Sequence, residues 1–148
     1  MMTAKTLSGV LSSCVLLMAC GGGAAEQGGG ATPPAGGGDQ IAMGQSLYGE
    51  NCASCHGAGG EGHGSAPPVV GKGALPLDPR PGSKRAVQFK TVADVGGWVK
   101  ANMPPKAPGS LTDDQYWAIL AFDLKANGVD LGGKHLDGAL AQTLVIPR

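Results

Sequence analysis

Cys52-Ala53-Ser54-Cys55-His56 holds the chain's most specific chemistry. Thiols three positions apart lie one helical turn apart, so both can form thioethers to the vinyl groups on one haem edge, while the following imidazole reaches the iron. A Cys-x-x-Cys pair also suits a dithiol redox centre or half of a zinc site. The first needs a βαβ context and the second needs another ligand pair, and the sequence offers neither. A haem held this way takes a sixth ligand from elsewhere in the chain. Met103, in Asn102-Met103-Pro104-Pro105, is the best candidate, because Pro104 disfavours helical geometry at Met103 and turns the chain away, leaving an extended segment to hold a thioether. As the bland alternative, Met103 fills core space. Met43 lies on the segment that already supplies the other side of the haem. His63 in a glycine-rich loop and His135 in the polar tail read as ordinary histidines; ligation by either would lower the potential relative to His/Met.

Three helices are expected to position these groups. Residues 39–48 read as a short helix with Asp39 as a possible N-cap and Ile41, Gly44 or Gln45, and Tyr48 at helical spacing. A second starts at Thr91-Val92-Ala93-Asp94, with Val92, Val95 and Val99 on a face leading towards Met103. Gly96-Gly97 costs that helix about 2 kcal/mol relative to Ala-Ala, which points to close approach by the cofactor or another helix. The third has a capping-box pattern at Thr112 and Gln115, an apolar stripe of Tyr116, Ile119, Leu120 and Leu124, and the stop signal Asn127-Gly128. With 27 glycines and few aromatic residues, side chains alone would build a thin interior, a deficit that a large apolar cofactor repairs.

Ahead of the domain, Lys5 precedes an apolar run, residues 7–19, of the length of a signal-peptide core and short of a membrane span. Its end, Leu17-Met18-Ala19-Cys20, resembles the bacterial lipobox, which implies cleavage before Cys20, a diacylglycerol on its thiol, and loss of Cys14 with the signal. The expected product is exported and held by lipid at the periplasmic face of a bacterial membrane, the outer membrane being the default. Residues 21–38 are almost all Gly, Ala and Pro and read as a tether of roughly 20–25 Å mean reach. The expected organisation is a signal peptide over residues 1–19, anchor and linker over 20–39, a haem domain over 40–128, and an extension over 129–148 with little periodicity.

Across residues 40–128 the chain resembles the class I c-type cytochromes. Gly44-Gln45-Ser46-Leu47-Tyr48 followed by Asn51-Cys52-Ala53-Ser54-Cys55-His56-Gly57 is similar to their N-terminal helix and haem motif. Pro67-Pro68-Val69-Val70-Gly71 is similar to their Pro-Pro-Leu-x-Gly loop, whose backbone carbonyl takes the imidazole hydrogen bond of the proximal histidine. The resemblance implies a small all-α fold wrapped around one covalent haem c, with the N- and C-terminal helices crossing. Met103-Pro104, then Ala107-Pro108-Gly109-Ser110-Leu111-Thr112-Asp113-Asp114 and a helix ending in Asn127-Gly128, resemble haem domains paired with sulfur-oxyanion dehydrogenases, and the closing Val145-Ile146-Pro147-Arg148 faintly echoes the end of that group.

With His56 and Met103 both on iron, no position remains there for a small-molecule substrate, so the expected function is single-electron transfer from a donor dehydrogenase or complex to an acceptor oxidase or carrier. The rivals are a haem enzyme or sensor with an open position, a thiol or metal protein, and a fixed electron-transfer subunit of a dehydrogenase. A net charge of zero argues against nucleic acid. Residues 72–106 hold seven basic residues against two acidic ones, and Lys72, Lys84, Arg85, Lys90 and Lys106 are candidates for docking acidic redox partners around the haem edge.

Overall fold

A computed structural model describes residues 36–146, which form five helices and no strand beyond isolated bridges. They are α1 (Gly37–Asn51), α2 (Ala53–His56), α3 (Val92–Asn102), α4 (Asp113–Ala126) and α5 (Gly138–Thr143). The signal-like segment, Cys20 and residues 21–35 of the expected tether lie outside the described residues, whereas Gly37 and Gly38, expected in the tether, are the first residues of α1. No described helix is long and apolar enough to cross a membrane.

The fold is organised around the crossing of α1 on α4, its most extensive helix pair. Gly44 makes it possible: a Cβ there would stand 1.9 Å from the Ala118 carbonyl oxygen. One turn on, the rings of Tyr48 and Phe122 meet at 5.4 Å. α1 starts at Gly37 with Gly36 as N-cap, earlier than the sequence suggested. Asp39 therefore stands in the first turn, where a carboxylate complements the helix dipole without capping it. The start is fixed by a close backbone contact instead, the Gly37 N–H donating to the Gly133 carbonyl at 3.2 Å.

α3 and α4 each begin in a complete capping box, Thr91 with Asp94 and Thr112 with Gln115. Backbone N–H groups of Thr91 and Lys90 hold the Asp94 carboxyl below its usual range. Gly96 admits the Trp117 ring of α4, which a Cβ would approach to 2.5 Å, while nothing lies within 4 Å of a Cβ at Gly97. The close approach expected of the glycine pair is thus a helix contact, made by Gly96. Phe89, Val92, Val95, Leu120 and Leu124 are buried together in the core, with Leu75, Leu77, Trp98 and Val99 packed against them and partly exposed.

The segment after residue 128 is part of this core. Leu131, Leu136, Ala141 and Ile146 are buried in it. Gln40 binds Leu136 as a second backbone would: its Nε2 donates to the Leu136 carbonyl and its Oε1 accepts from the Leu136 N–H, both at 2.7 Å. The chain then pairs with the approach to α3, the Val92 N–H donating to Leu144 O at 2.9 Å and the Ile146 N–H to Lys90 O at 3.2 Å.

Between α2 and α3 the chain is irregular, and Arg85 clasps it. Its guanidinium donates to the carbonyls of Pro76 (2.7 Å), Leu77 (2.8 Å), Asp78 (2.5 Å) and Val87 (3.0 Å) and lies 3.7 Å from the Phe89 ring centroid. At 7% exposure, this cation is spent on the loop's own backbone. The docking role expected of Arg85 is thereby corrected, whereas Lys72, Lys84, Lys90 and Lys106 are exposed.

Candidate haem-binding site

α1 delivers the chain to Cys52, whose N–H donates to Tyr48 O at 2.9 Å. The N–H groups of Cys55 and His56 both donate to Cys52 O, at 3.1 and 2.9 Å, so α2 sets the two sulfurs on successive turns with His56 directly after them. Gly57 then leaves the helix at φ 85°, a region that favours glycine, and the Tyr48 hydroxyl donates to its carbonyl at 2.9 Å. Burial, and next the Asp123 carboxyl, push the Tyr48 phenol up to about 12, so it remains a donor through the neutral range.

His56 Nδ1 lies 2.8 Å from the Pro67 carbonyl oxygen. A carbonyl only accepts, so Nδ1 carries the proton, and in the neutral imidazole the lone pair is therefore on Nε2, the tautomer a metal requires. Asn127 buttresses the loop bearing that carbonyl: its Nδ2 donates to Val69 O at 2.8 Å and its Oδ1 accepts from the Gly71 N–H at 3.0 Å. In the sequence Asn127 reads only as a helix stop. Its loop partners are 56 and 58 residues away, and no local signal marks them.

Met103 forms the C-cap of α3 with extended geometry, φ −125° and ψ 147°, its N–H donating to Val99 O at 2.7 Å. The Tyr116 hydroxyl of α4 donates to the Met103 carbonyl at 2.7 Å. The two histidine alternatives are placed otherwise. His63 is exposed in a loop bridged to Ala66, and His135 Nε2 sits 3.2 Å from Gln40 Nε2 in the C-terminal wrap.

These groups suit a covalently held haem. Both cysteines are free, the imidazole is held through Nδ1 and keeps Nε2 for a metal, and a half-buried thioether ends the neighbouring helix. They suit Cys52 poorly as a nucleophile. Burial, followed by the Asp123 and Cys55 charges, pushes a free Cys52 thiol up to about 11, and at neutral pH such a thiol is almost never the nucleophilic thiolate. Among the described residues no cluster of three or more His, Cys, Asp or Glu is placed to hold a metal ion, which leaves a zinc site without its remaining ligands.

Asp123 is the site's unexpected neighbour. It faces Tyr48 and Cys52 from α4 at 9% exposure, its Oδ1 has no hydrogen-bond partner, and burial pushes its carboxyl up to about 7. In the sequence Asp123 stands four residues after Ile119 and three after Leu120, on the face of the apolar stripe, and only its charge keeps it out of that stripe.

Crossed terminal helices, a Cys-x-x-Cys-His turn and a methionine at the end of the intervening helix define a cytochrome c-type haem domain. The chain belongs to the family described as cytochrome c oxidase, cbb3-type, subunit III, whose pattern matches residues 39–122. It is similar to thiosulfate dehydrogenase of Stutzerimonas stutzeri (strain A1501), at 28% identity over 128 residues, covering 68% of this chain and 39% of that protein. It is also similar to a chain of the sulfane dehydrogenase SoxCD from Paracoccus pantotrophus, with a TM-score of 0.56 and 33% identity, covering 72% of this chain and 53% of that one. The chain thus spans about two fifths to one half of the length of these relatives. The role of such a domain is electron transfer.

Proposed function

We propose that this chain carries one haem c, bound covalently through Cys52 and Cys55 with His56 and Met103 as axial ligands, and that it passes single electrons between proteins. The observation that carries the reading is the His56–Pro67 hydrogen bond, which prepares one imidazole nitrogen for iron directly beside two free thiols. The haem supplies a one-electron couple whose potential is raised by methionine ligation relative to two nitrogen ligands. The protein's part is to keep the ligands fixed in both oxidation states, so that little rearranges when the charge changes. Pro67 orients His56 and adds to its basicity, Asn127 braces that loop, and Tyr48 ties down the exit from α2.

The names of the relatives favour a dehydrogenase of reduced sulfur compounds as the electron donor, with an oxidase or another carrier as acceptor. The exposed Lys72, Lys84, Lys90 and Lys106 suit brief, salt-sensitive encounters with acidic partners. Cys20, by its lipobox-like setting, is the proposed lipid anchor at the periplasmic face, with the residues between it and α1 as tether.

Mass spectrometry and a reductive titration of the mature protein test this reading. The expected result is a chain heavier by one haem that takes up one electron reversibly. The double variant Cys52→Ala, Cys55→Ala is expected to lose the covalent haem altogether. A parent chain of unmodified mass, with thiols that oxidise as a pair, would defeat the proposal.

A further inference from the structure

Met103 sits at the edge of a poorly anchored stretch. Residues 105–110 are exposed, and the turns that shape the stretch are internal to it: the Ala107 N–H donates to Pro104 O at 2.9 Å and the Ser110 N–H to Ala107 O at 3.3 Å. On its other side, the Met103 N–H is bound within α3. Among the described residues, the hydrogen bond that ties the Met103 backbone to another helix is the one from Tyr116. That phenol is 5% exposed on the first turn of α4, and the capping box of Thr112 and Gln115 fixes the turn that carries it.

We infer that Tyr116 is a positioning residue that keeps Met103 closed over the sixth coordination site. The inference rests on Met103 being the iron's second axial ligand. A thioether is a weak, neutral donor, so its residence on a metal depends on how well its backbone is held. Removing the hydroxyl leaves the Met103 carbonyl without its partner on α4 and frees the loop to lift. The site then opens to external ligands, while the buried ring that packs α4 is retained.

The test measures cyanide and imidazole binding to the ferric holoprotein in the parent, Tyr116→Phe, Met103→Ala and Ile146→Ala. The last variant removes a buried side chain of the C-terminal wrap and controls for general loss of stability. Tyr116→Phe is expected to bind both ligands about tenfold more tightly than the parent, the factor a single neutral hydrogen bond can supply, and to weaken the near-infrared band of Met-ligated iron. Ile146→Ala is expected to lower the melting temperature without opening the site. Unchanged affinity in Tyr116→Phe, equal opening in Ile146→Ala, or loss of the fold on removal of the one hydroxyl would each overturn the inference. A parent that lacks the methionine band and binds ligands as Met103→Ala does would instead remove the reading on which it rests.

Discussion

Gly44→Ala is expected to cost the protein about 3 kcal/mol or more and to leave most chains without stable tertiary structure at 37 °C, because overpacking of this severity lies at or beyond the upper end of core insertions. The added methyl would stand 1.9 Å from the carbonyl oxygen of Ala118 and 2.5 Å from its carbonyl carbon. Both are backbone atoms in the middle of α4, so no rotamer change relieves the clash, and the helices must separate. Separation uncovers Tyr48 and Phe122 at the same crossing and loosens the delivery of Cys52. Gly49→Ala, five residues on in α1, is the matched control. Nothing lies within 4 Å of a Cβ there, so the same change is expected to stabilise the helix by about 0.5–1 kcal/mol. Thermal unfolding followed by circular dichroism reads both. Equal melting temperatures for the two variants would show that the crossing is not as close as described.

Asp123→Asn is expected to change how stability depends on pH. The folded-state carboxyl is pushed from 3.8 up to about 7 by burial, whereas the unfolded chain holds it at its ordinary value. Well below pH 4 the group is protonated in both states and costs nothing in charge. As pH rises towards 7 the unfolded state gives up its proton freely while the folded state resists, so stability falls across that window and levels off above it. A shift of about three units sets a ceiling of ~4 kcal/mol on the loss. The amide cannot ionise, so the variant is expected to match the parent near pH 4 and to exceed it at pH 8 by a few kcal/mol at most. Urea unfolding at both pH values checks this, and parallel pH profiles for variant and parent would show that Asp123 is not a buried carboxyl under strain.

What could be read from the sequence was what short-range chemistry encodes. The haem motif declares itself by residue type and spacing. The starts of α3 and α4 are visible because capping boxes place both partners within three residues, and the crossing of the terminal helices is as the cytochrome resemblance implied. The start of α1 lies earlier than its sequence signals because Gly36 to Gly38 present no side chain to mark a cap, and a contact with Gly133 decides the matter. The C-terminal wrap was illegible for a related reason. Its anchors are Gln40 gripping the Leu136 backbone and residues 144–146 pairing with 90–92, contacts that leave no periodicity in the segment itself. Arg85 shows the limit of reading charge. A basic residue in a basic stretch suggests an open surface, but its guanidinium serves the carbonyls of a proline-rich loop that has no regular structure of its own.

Closure of the iron by His56 on one side and Met103 on the other is tested by the absorption spectrum of the purified holoprotein, oxidised and reduced, recorded beside Met103→Ala. The expected result is c-type bands on reduction and, in the oxidised parent, the weak near-infrared band of methionine-ligated iron, absent from the variant. A high-spin parent spectrum that the substitution leaves unchanged would contradict the claim and make an open haem site, enzyme or sensor, the function to pursue.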